Sequence, residues 1–237
     1  KKENYIEALE IVNQSIDANK KKHQAYSLKG DIYFKMKNFS SASECYEQAL
    51  NYQENNLIYR QKLAISYLFD NKPKKANEEL KKLIEKNPKN LILFYYRSQA
   101  LNDLENYSEA ISDIEMYLKY YVDDNEAIYK YCEILINSED YLSSIREINK
   151  LIELEPSNAD YYFLRGKAYL NSNSYQLSID DFSYSLDLNP NNTDIYLLRG
   201  QAKQLSGDLE GACNDWNYSV LNGDYKANNF IIKFCNH

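Results

Sequence analysis

The sequence predicts an all-α fold, a solenoid of stacked antiparallel helix pairs. Three observations predict it. A step of 34 residues from Ser178 lands on Ala8, Ala42, Ala76, Ala110, Ser144 and Ala212, and the same step from Gly166 lands on Gly30, Ala64, Ser98, Cys132 and Gly200, so two lanes hold only small side chains. Two further lanes are large: Val12, Tyr46, Leu80, Ile114, Ile148, Phe182 and Trp216 in one, Tyr5, Phe39, Pro73, Tyr107, Tyr141, Tyr175 and Leu209 in the other. The period runs without insertion or deletion and is punctuated by Pro88, Pro156 and Pro190. Self-similarity at this length marks two-helix units, each too small to bury its apolar face without its neighbours.

Taken in order, the segment from Lys2 to about Ala18 places Tyr5, Ala8, Leu9, Val12 and Ile16 on one helical face. It reads as the second helix of a repeat whose first helix is absent, and its open face predicts end-to-end association. His23 to Lys37 and Ser40 to Tyr52 form the first complete pair, joined by a short polar turn around Asn38. Leu57 to Asp70 and Pro73 to Glu85 follow, with Pro73 in a first helical turn, where its missing N–H has no bond to lose. Leu91 to Leu104 pairs with Tyr107 to Tyr120, and Asn125 to Asn137 pairs with Tyr141 to Leu154. Ala159 to Leu170 with Tyr175 to Leu188 is the most regular unit. Thr193 to Leu205 with Leu209 to Leu221 is the last full one, turning at Gly207-Asp208, and Tyr225 to Phe234 closes the array.

The lanes resemble the tetratricopeptide repeat family, with an aromatic at the fourth place (Tyr26, Phe94, Tyr162, Tyr196), tyrosine at the eleventh (Tyr33, Tyr67, Tyr169) and proline at the thirty-second. Arg60, Lys203, Glu54 and Val122 depart locally. The resemblance implies a right-handed superhelix and one domain over 1–237: an incomplete repeat in 1–22, full repeats at 23–56, 57–90, 91–124, 125–158, 159–192 and 193–226, and a capping helix in 227–237. Two helices joined by a tight turn approach closely only where little side chain intervenes. Gly166 is therefore expected to meet Ser178, and Gly200 to meet Ala212, so that leucine at Gly200 would overpack that contact. The seventh place is basic at Lys29, Arg97, Arg165 and Arg199, and the twenty-third is Asp in the same units as the three arginines, at Asp113, Asp181 and Asp215. That covariation predicts an ion pair bridging the two helices of a unit, because partly buried charges are costly alone.

A net charge of −7 and a pI near 5.1 argue against nucleic acid as partner, which requires clustered Lys and Arg. No run is long and apolar enough for membrane insertion, and any N-terminal targeting segment is expected to lie upstream of Lys1, which leaves the compartment unknown. Cys45, Cys132, Cys213 and Cys235 lack the close paired spacing of zinc sites, and only His23 and His237 could assist them. Cys132 reads as a buried small hydrophobe. Cys213 and Cys235 fall on the last repeat helix and the closing helix, where either two free thiols or a disulfide pinning the cap is open. Four thiols titrated in the unreduced, unfolded protein would exclude the bond.

For function, the resemblance implies that the first helix of each pair lines a concave groove for another polypeptide. Carried over place by place, the partner-binding groove comprises Tyr95, Gln99, Asn102, Glu126, Tyr129, Glu133, Asp160, Phe163 and Lys167. Tyr95, Tyr129 and Phe163 are the aromatic anchors, and the acidic neighbours call for a protein or peptide partner carrying Lys or Arg. With 24 tyrosines in the chain, many are ordinary packing, so the ladder competes with a purely structural reading. The fifth place never holds Lys and the ninth never Asn, so a chaperone carboxylate clamp is not expected. No cofactor is implied. The leading expectation is a non-enzymatic interaction scaffold; the alternatives are a self-assembly module working through the open first helix and, third, an enzyme. For catalysis the sequence offers no convincing nucleophile and base, no phosphate-cradling glycine loop and no metal set, and Cys235 with His237 reads as a terminus.

Overall fold

The computed structural model describes residues 2–18 and 21–235. Among them lie fourteen α-helices, one 3-10 turn and no strand. Backbone contacts divide the chain into two compact units, Lys1–Tyr121 and Val122–His237, where the sequence reads as one uninterrupted array. The first contains α1 (Lys2–Asp17), α2 (Lys22–Lys35), α3 (Phe39–Tyr52), α4 (Leu57–Phe69), α5 (Pro73–Lys86), α6 (Ile92–Asp103) and α7 (Tyr107–Leu118). The second contains α8 (Asn125–Asn137), α9 (Tyr141–Leu154), α10 (Ala159–Asn171), α11 (Tyr175–Leu188), α12 (Thr193–Ser206), α13 (Leu209–Leu221) and α14 (Asn228–Phe234). Within each unit, consecutive helices pack as hairpins and hairpins stack on one another, giving an all-α solenoid architecture.

Local chemistry sets the boundaries. Asn56, Asp124 and Asn158, spaced by one period or its double, each accept a backbone N–H of the first turn that follows (from Ile58 and Tyr59, from Ala127, from Asp160) and so satisfy donors that a helix start leaves open. Pro73 is the first residue of α5. The closing segment splits, because the Asp224 carboxylate accepts from Lys226 N and tightens Tyr225–Ala227 into a 3-10 turn ahead of α14.

Inside each hairpin the turn carries one residue in the left-handed region, again at the period: Lys37, Asn71, Glu105, Glu139, Asn173 and Gly207, with φ between 54° and 97°. Only the last is glycine. A non-glycine residue held there costs about 1–2 kcal/mol, partly offset by the roughly 0.5–1 kcal/mol of backbone entropy that glycine would lose on folding. Glu139→Gly is therefore expected to stabilise the protein by about 0.5–1 kcal/mol, read as a higher urea midpoint at unchanged slope; a lower midpoint would contradict the strain.

The small lanes meet as expected in α10 and α11, where Ser178 Oγ donates to the Gly166 carbonyl at 2.8 Å, and in α8 and α9, where Ser144 Oγ donates to that of Cys132 at 3.2 Å. The expectation for Gly200 needs correction. A Cβ built there would lie 2.4 Å from Trp216 Nε1, one at Gly166 would lie 2.7 Å from the Phe182 ring and one at Gly30 would lie 2.6 Å from Tyr46. The glycine makes room for the large residue one turn beyond the small one, so the ring of Trp216, rather than the methyl of Ala212, sets the limit at Gly200.

The predicted ion pairs form. Arg97, Arg165 and Arg199 each present Nε and Nη2 to the two carboxylate oxygens of Asp113, Asp181 and Asp215 at 2.6–2.8 Å. Each guanidinium also lies 5.4–5.5 Å over the fourth-place ring, Phe94, Tyr162 or Tyr196. In the second unit the remaining Nη1 reaches back one repeat, to Asn149 at 2.7 Å and Ser183 at 3.1 Å, so one arginine ties both helices of its hairpin to the preceding hairpin. Asp113 holds the Arg97 guanidinium above its ordinary range, and Asp181 does the same for Arg165. The second repeat solves the problem differently. Its seventh place is Leu63, and the arginine sits one turn earlier at Arg60, where it pairs with the longer Glu79.

Candidate partner-binding face

The helices α8 and α10 lie side by side in the second unit as the first helices of adjacent hairpins, and they carry six of the nine residues expected in the groove. Tyr129 is half-buried, with its ring 6.3 Å from that of Tyr161 and the Lys130 ammonium 5.7 Å above it. Lys130 is in turn paired with Glu133 at 2.7 Å. Burial raises the Tyr129 phenol well above its ordinary value, and the negative charges of Glu133 and Asp160 add to the shift, which puts both carboxylates in the same electrostatic neighbourhood as the ring. Phe163 is half-buried 6.1 Å from Phe182, and Lys167 stands 5.8 Å over its face. Glu126 and Asp160 are exposed. The Tyr129 ring thus has two carboxylates, Glu133 and Asp160, in its neighbourhood.

The remaining three expected residues belong to the first unit. Tyr95 is only 8 % exposed, its ring 5.2 Å from Tyr117 and 5.3 Å from Tyr96. Its packing follows from the bulk of Tyr117, which stands where the second unit has Leu151, Ser185 and Ser219. Gln99 donates from Nε2 to the Tyr95 carbonyl at 3.4 Å, and Asn102 is half-buried and engaged.

Charge is divided unevenly between the units. Residues 1–121 hold 19 Lys and Arg against 17 Asp and Glu, while residues 122–237 hold 9 against 18, so the acidity of the chain resides in the second unit.

Sequence reasoning missed a cavity of about 360 Å³ in the first unit, walled by Phe34, Ile65, Phe69 and Tyr96. At this cavity the Lys62 ammonium lies 2.8 and 2.7 Å from the two oxygens of Asp31, and Tyr46 donates its hydroxyl to Asp31 at 2.7 Å. Asp31 and Phe34 stand at groove places. Lys62 and Phe69 stand at the sixth and thirteenth places of their repeat. Among the described residues no group of His, Cys, Asp and Glu side chains is arranged to hold a metal ion, and no helix is long and apolar enough to cross a membrane. His237, considered as a companion to Cys235, lies outside the described residues. Cys213 and Cys235 are joined in a disulfide.

The sequence profile of the ETO1 C-terminal domain matches residues 5–205, most of the chain. The chain belongs to that family, a tetratricopeptide-repeat-containing one. No curated protein matches it. Among solved structures, a tetratricopeptide repeat protein from Parabacteroides merdae is 21 % identical with a TM-score of 0.81, covering 98 % of this chain and 93 % of its own. The tetratricopeptide protein YrrB, whose structure is described as having an unusual peptide-binding site, is 19 % identical with a TM-score of 0.61, over 81 % of this chain and 97 % of its own. The Cut9–Hcn1 hetero-tetramer of the APC/C is 14 % identical with a TM-score of 0.74, over 94 % of this chain and 44 % of its own. At these identities the likeness establishes for this ETO1 C-terminal domain member a tetratricopeptide fold and nothing of its ligand.

Proposed function

We propose that the chain is a non-enzymatic interaction scaffold whose second unit receives a Lys- or Arg-bearing segment of a partner protein, extended or helical, across α8 and α10. What supports the reading most is half-buried Tyr129 with Glu133 and Asp160 in its electrostatic neighbourhood, on a unit with twice as many acidic as basic residues that also carries half-buried Phe163 on α10 and exposed Glu126 on α8. Rings of this kind supply contact area at low entropic cost, and flanking carboxylates select and steer a cationic partner. Fold relatives that bind a peptide, as YrrB is described to do, or that sit in an assembly, as Cut9 does with Hcn1, are consistent with such use of the fold.

The test is a polarisation titration with a fluorescein-labelled peptide of alternating lysine and leucine and its glutamate counterpart. The basic peptide is expected to bind, with affinity falling as salt rises, and the acidic one to fail. Tyr129→Ala with Phe163→Ala is expected to weaken binding at least tenfold, as is Glu133→Lys with Asp160→Lys. Equal binding of the two peptides, or variants that bind like the parent, would refute the site.

A second reading has its own observation. On α1, Ile6 and Ile11 are 57 % and 60 % exposed while Leu9, Val12 and Ile16 pack against Ala25 and Ile32, so this helix presents apolar side chains to solvent as well as to the core. Self-association through that surface predicts a scattering mass that rises with concentration and ceases to rise in Ile6→Lys with Ile11→Lys.

A further inference from the structure

The cap at the end of the second unit is built unlike any other element of the chain. Helix α14 has seven residues and buries none of them, whereas α8 to α13 each bury between three and five. Its apolar side chains Phe230, Ile231 and Phe234 are only partly buried, and Ile232 is 68 % exposed. The polar ties of the segment are equally slight: Lys226 reaches Asp194 at 3.0 Å with both side chains more than half exposed, and Ser219 meets Asp224 at 3.3 Å. A helix of this length does not persist in water without tertiary support. What it covers is the opposite in character. Trp216, the single tryptophan of the protein, is fully buried, with Phe230 stacked 5.1 Å and Phe234 5.9 Å from its ring. Leu197 and Ala212 lie in the same cluster. A weakly held cover over a strongly apolar end face is joined to α13 by one covalent link, Cys213–Cys235, between residues 22 apart in the sequence.

We infer that this disulfide is a redox latch: opened by a dithiol reductant, it releases the cap and uncovers the Trp216 face, and closed again by a disulfide oxidant, it restores it. In the opening direction a reductant thiolate attacks one sulfur of the pair and forms a mixed disulfide, and the other sulfur leaves as a thiolate that takes up a proton. The second thiol of the reductant then displaces the remaining cysteine. The net change is two electrons and two protons gained by Cys213 and Cys235, and the reductant ends as its own disulfide. The two other cysteines do not compete. Cys45 and Cys132 are buried free thiols, pushed up by burial to about 11 and about 12, so neither supplies the thiolate that exchange requires. The polypeptide therefore carries one redox-responsive pair, placed on its least secured helix.

Trp216 is the reporter. In the unreduced protein its emission is expected to be blue-shifted and poorly quenched by acrylamide, and a thiol count after unfolding should find two. Dithiothreitol under native conditions is expected to bring the count to four, shift the emission to the red and raise the quenching constant severalfold, and oxidised glutathione should reverse all three. Cys213→Ser with Cys235→Ser is expected to show the reduced behaviour without reductant and no response to it. Four thiols in the unreduced protein, or a Trp216 that remains shielded once all four are free, would overturn the latch. Should the double variant prove insoluble, reduction of the parent protein decides the matter alone.

Discussion

Replacing Asp215 by alanine is expected to destabilise the protein by about 3–5 kcal/mol, the cost of breaking a buried pair by removing one partner. Asp215 is held by two cations at once. Arg199 grips both its oxygens at 2.8 and 2.7 Å and Lys203 adds a third contact at 2.9 Å, while the Asp215 side chain is 6 % exposed and the two cations 17 % and 18 %. Without the carboxylate, two positive charges face one another in a partly dry site. Exposed ion pairs contribute at most about 1 kcal/mol, so burial is what makes this one matter. The triple substitution Asp215→Leu with Arg199→Met and Lys203→Met removes all three charges together and is expected to recover more than half of the loss. Urea denaturation monitored by circular dichroism measures both. A single variant within 1 kcal/mol of the parent would show the charges to be solvated.

The second large effect is expected at Gly200. Leucine there should cost about 2–3 kcal/mol through overpacking, and alanine makes the sharper experiment. Helix propensity alone favours alanine over glycine in a helix interior by about 1 kcal/mol. The structure opposes this, since the new methyl would lie 2.4 Å from Trp216 Nε1. The indole cannot swing clear without loss, because it donates to the Leu197 carbonyl at 3.2 Å and is stacked by Phe230. Gly200→Ala is therefore expected to lower the melting temperature. A rise would mean that the ring has room to move.

The two sites show what a reader of the sequence could and could not see. The Arg–Asp pairs were legible because both partners recur at one offset, sixteen residues apart within a hairpin, and charges that must be paired leave a covarying trace. The glycine lane was legible, yet its partner was not: a small side chain says that something comes close without saying what, and the ring that does so lies one turn further along the opposing helix. The left-handed turn position is hard to see because Lys37, Glu105 and Glu139 carry no mark of their conformation, while Asn71, Asn173 and Gly207 do. The division after Tyr121 leaves no trace in a period that runs through it unbroken. At the proposed binding face, the groove places give half-buried rings at Tyr129 and Phe163, whereas at Tyr95 the same rule leads to a packed position beside Tyr117. Place in a repeat determines direction, but neighbouring bulk determines exposure.

The displaced pair of the second repeat constrains how this gene product can be recombined. Grafting α7, α11 or α13 onto α4 would set aspartate opposite Leu63 and offer Arg60, the side chain that α5 answers with Glu79, a carboxylate one methylene shorter. Shuffling single helices between hairpins is therefore a losing exchange here, while transplanting residues 57–90 as one block keeps its private wiring intact.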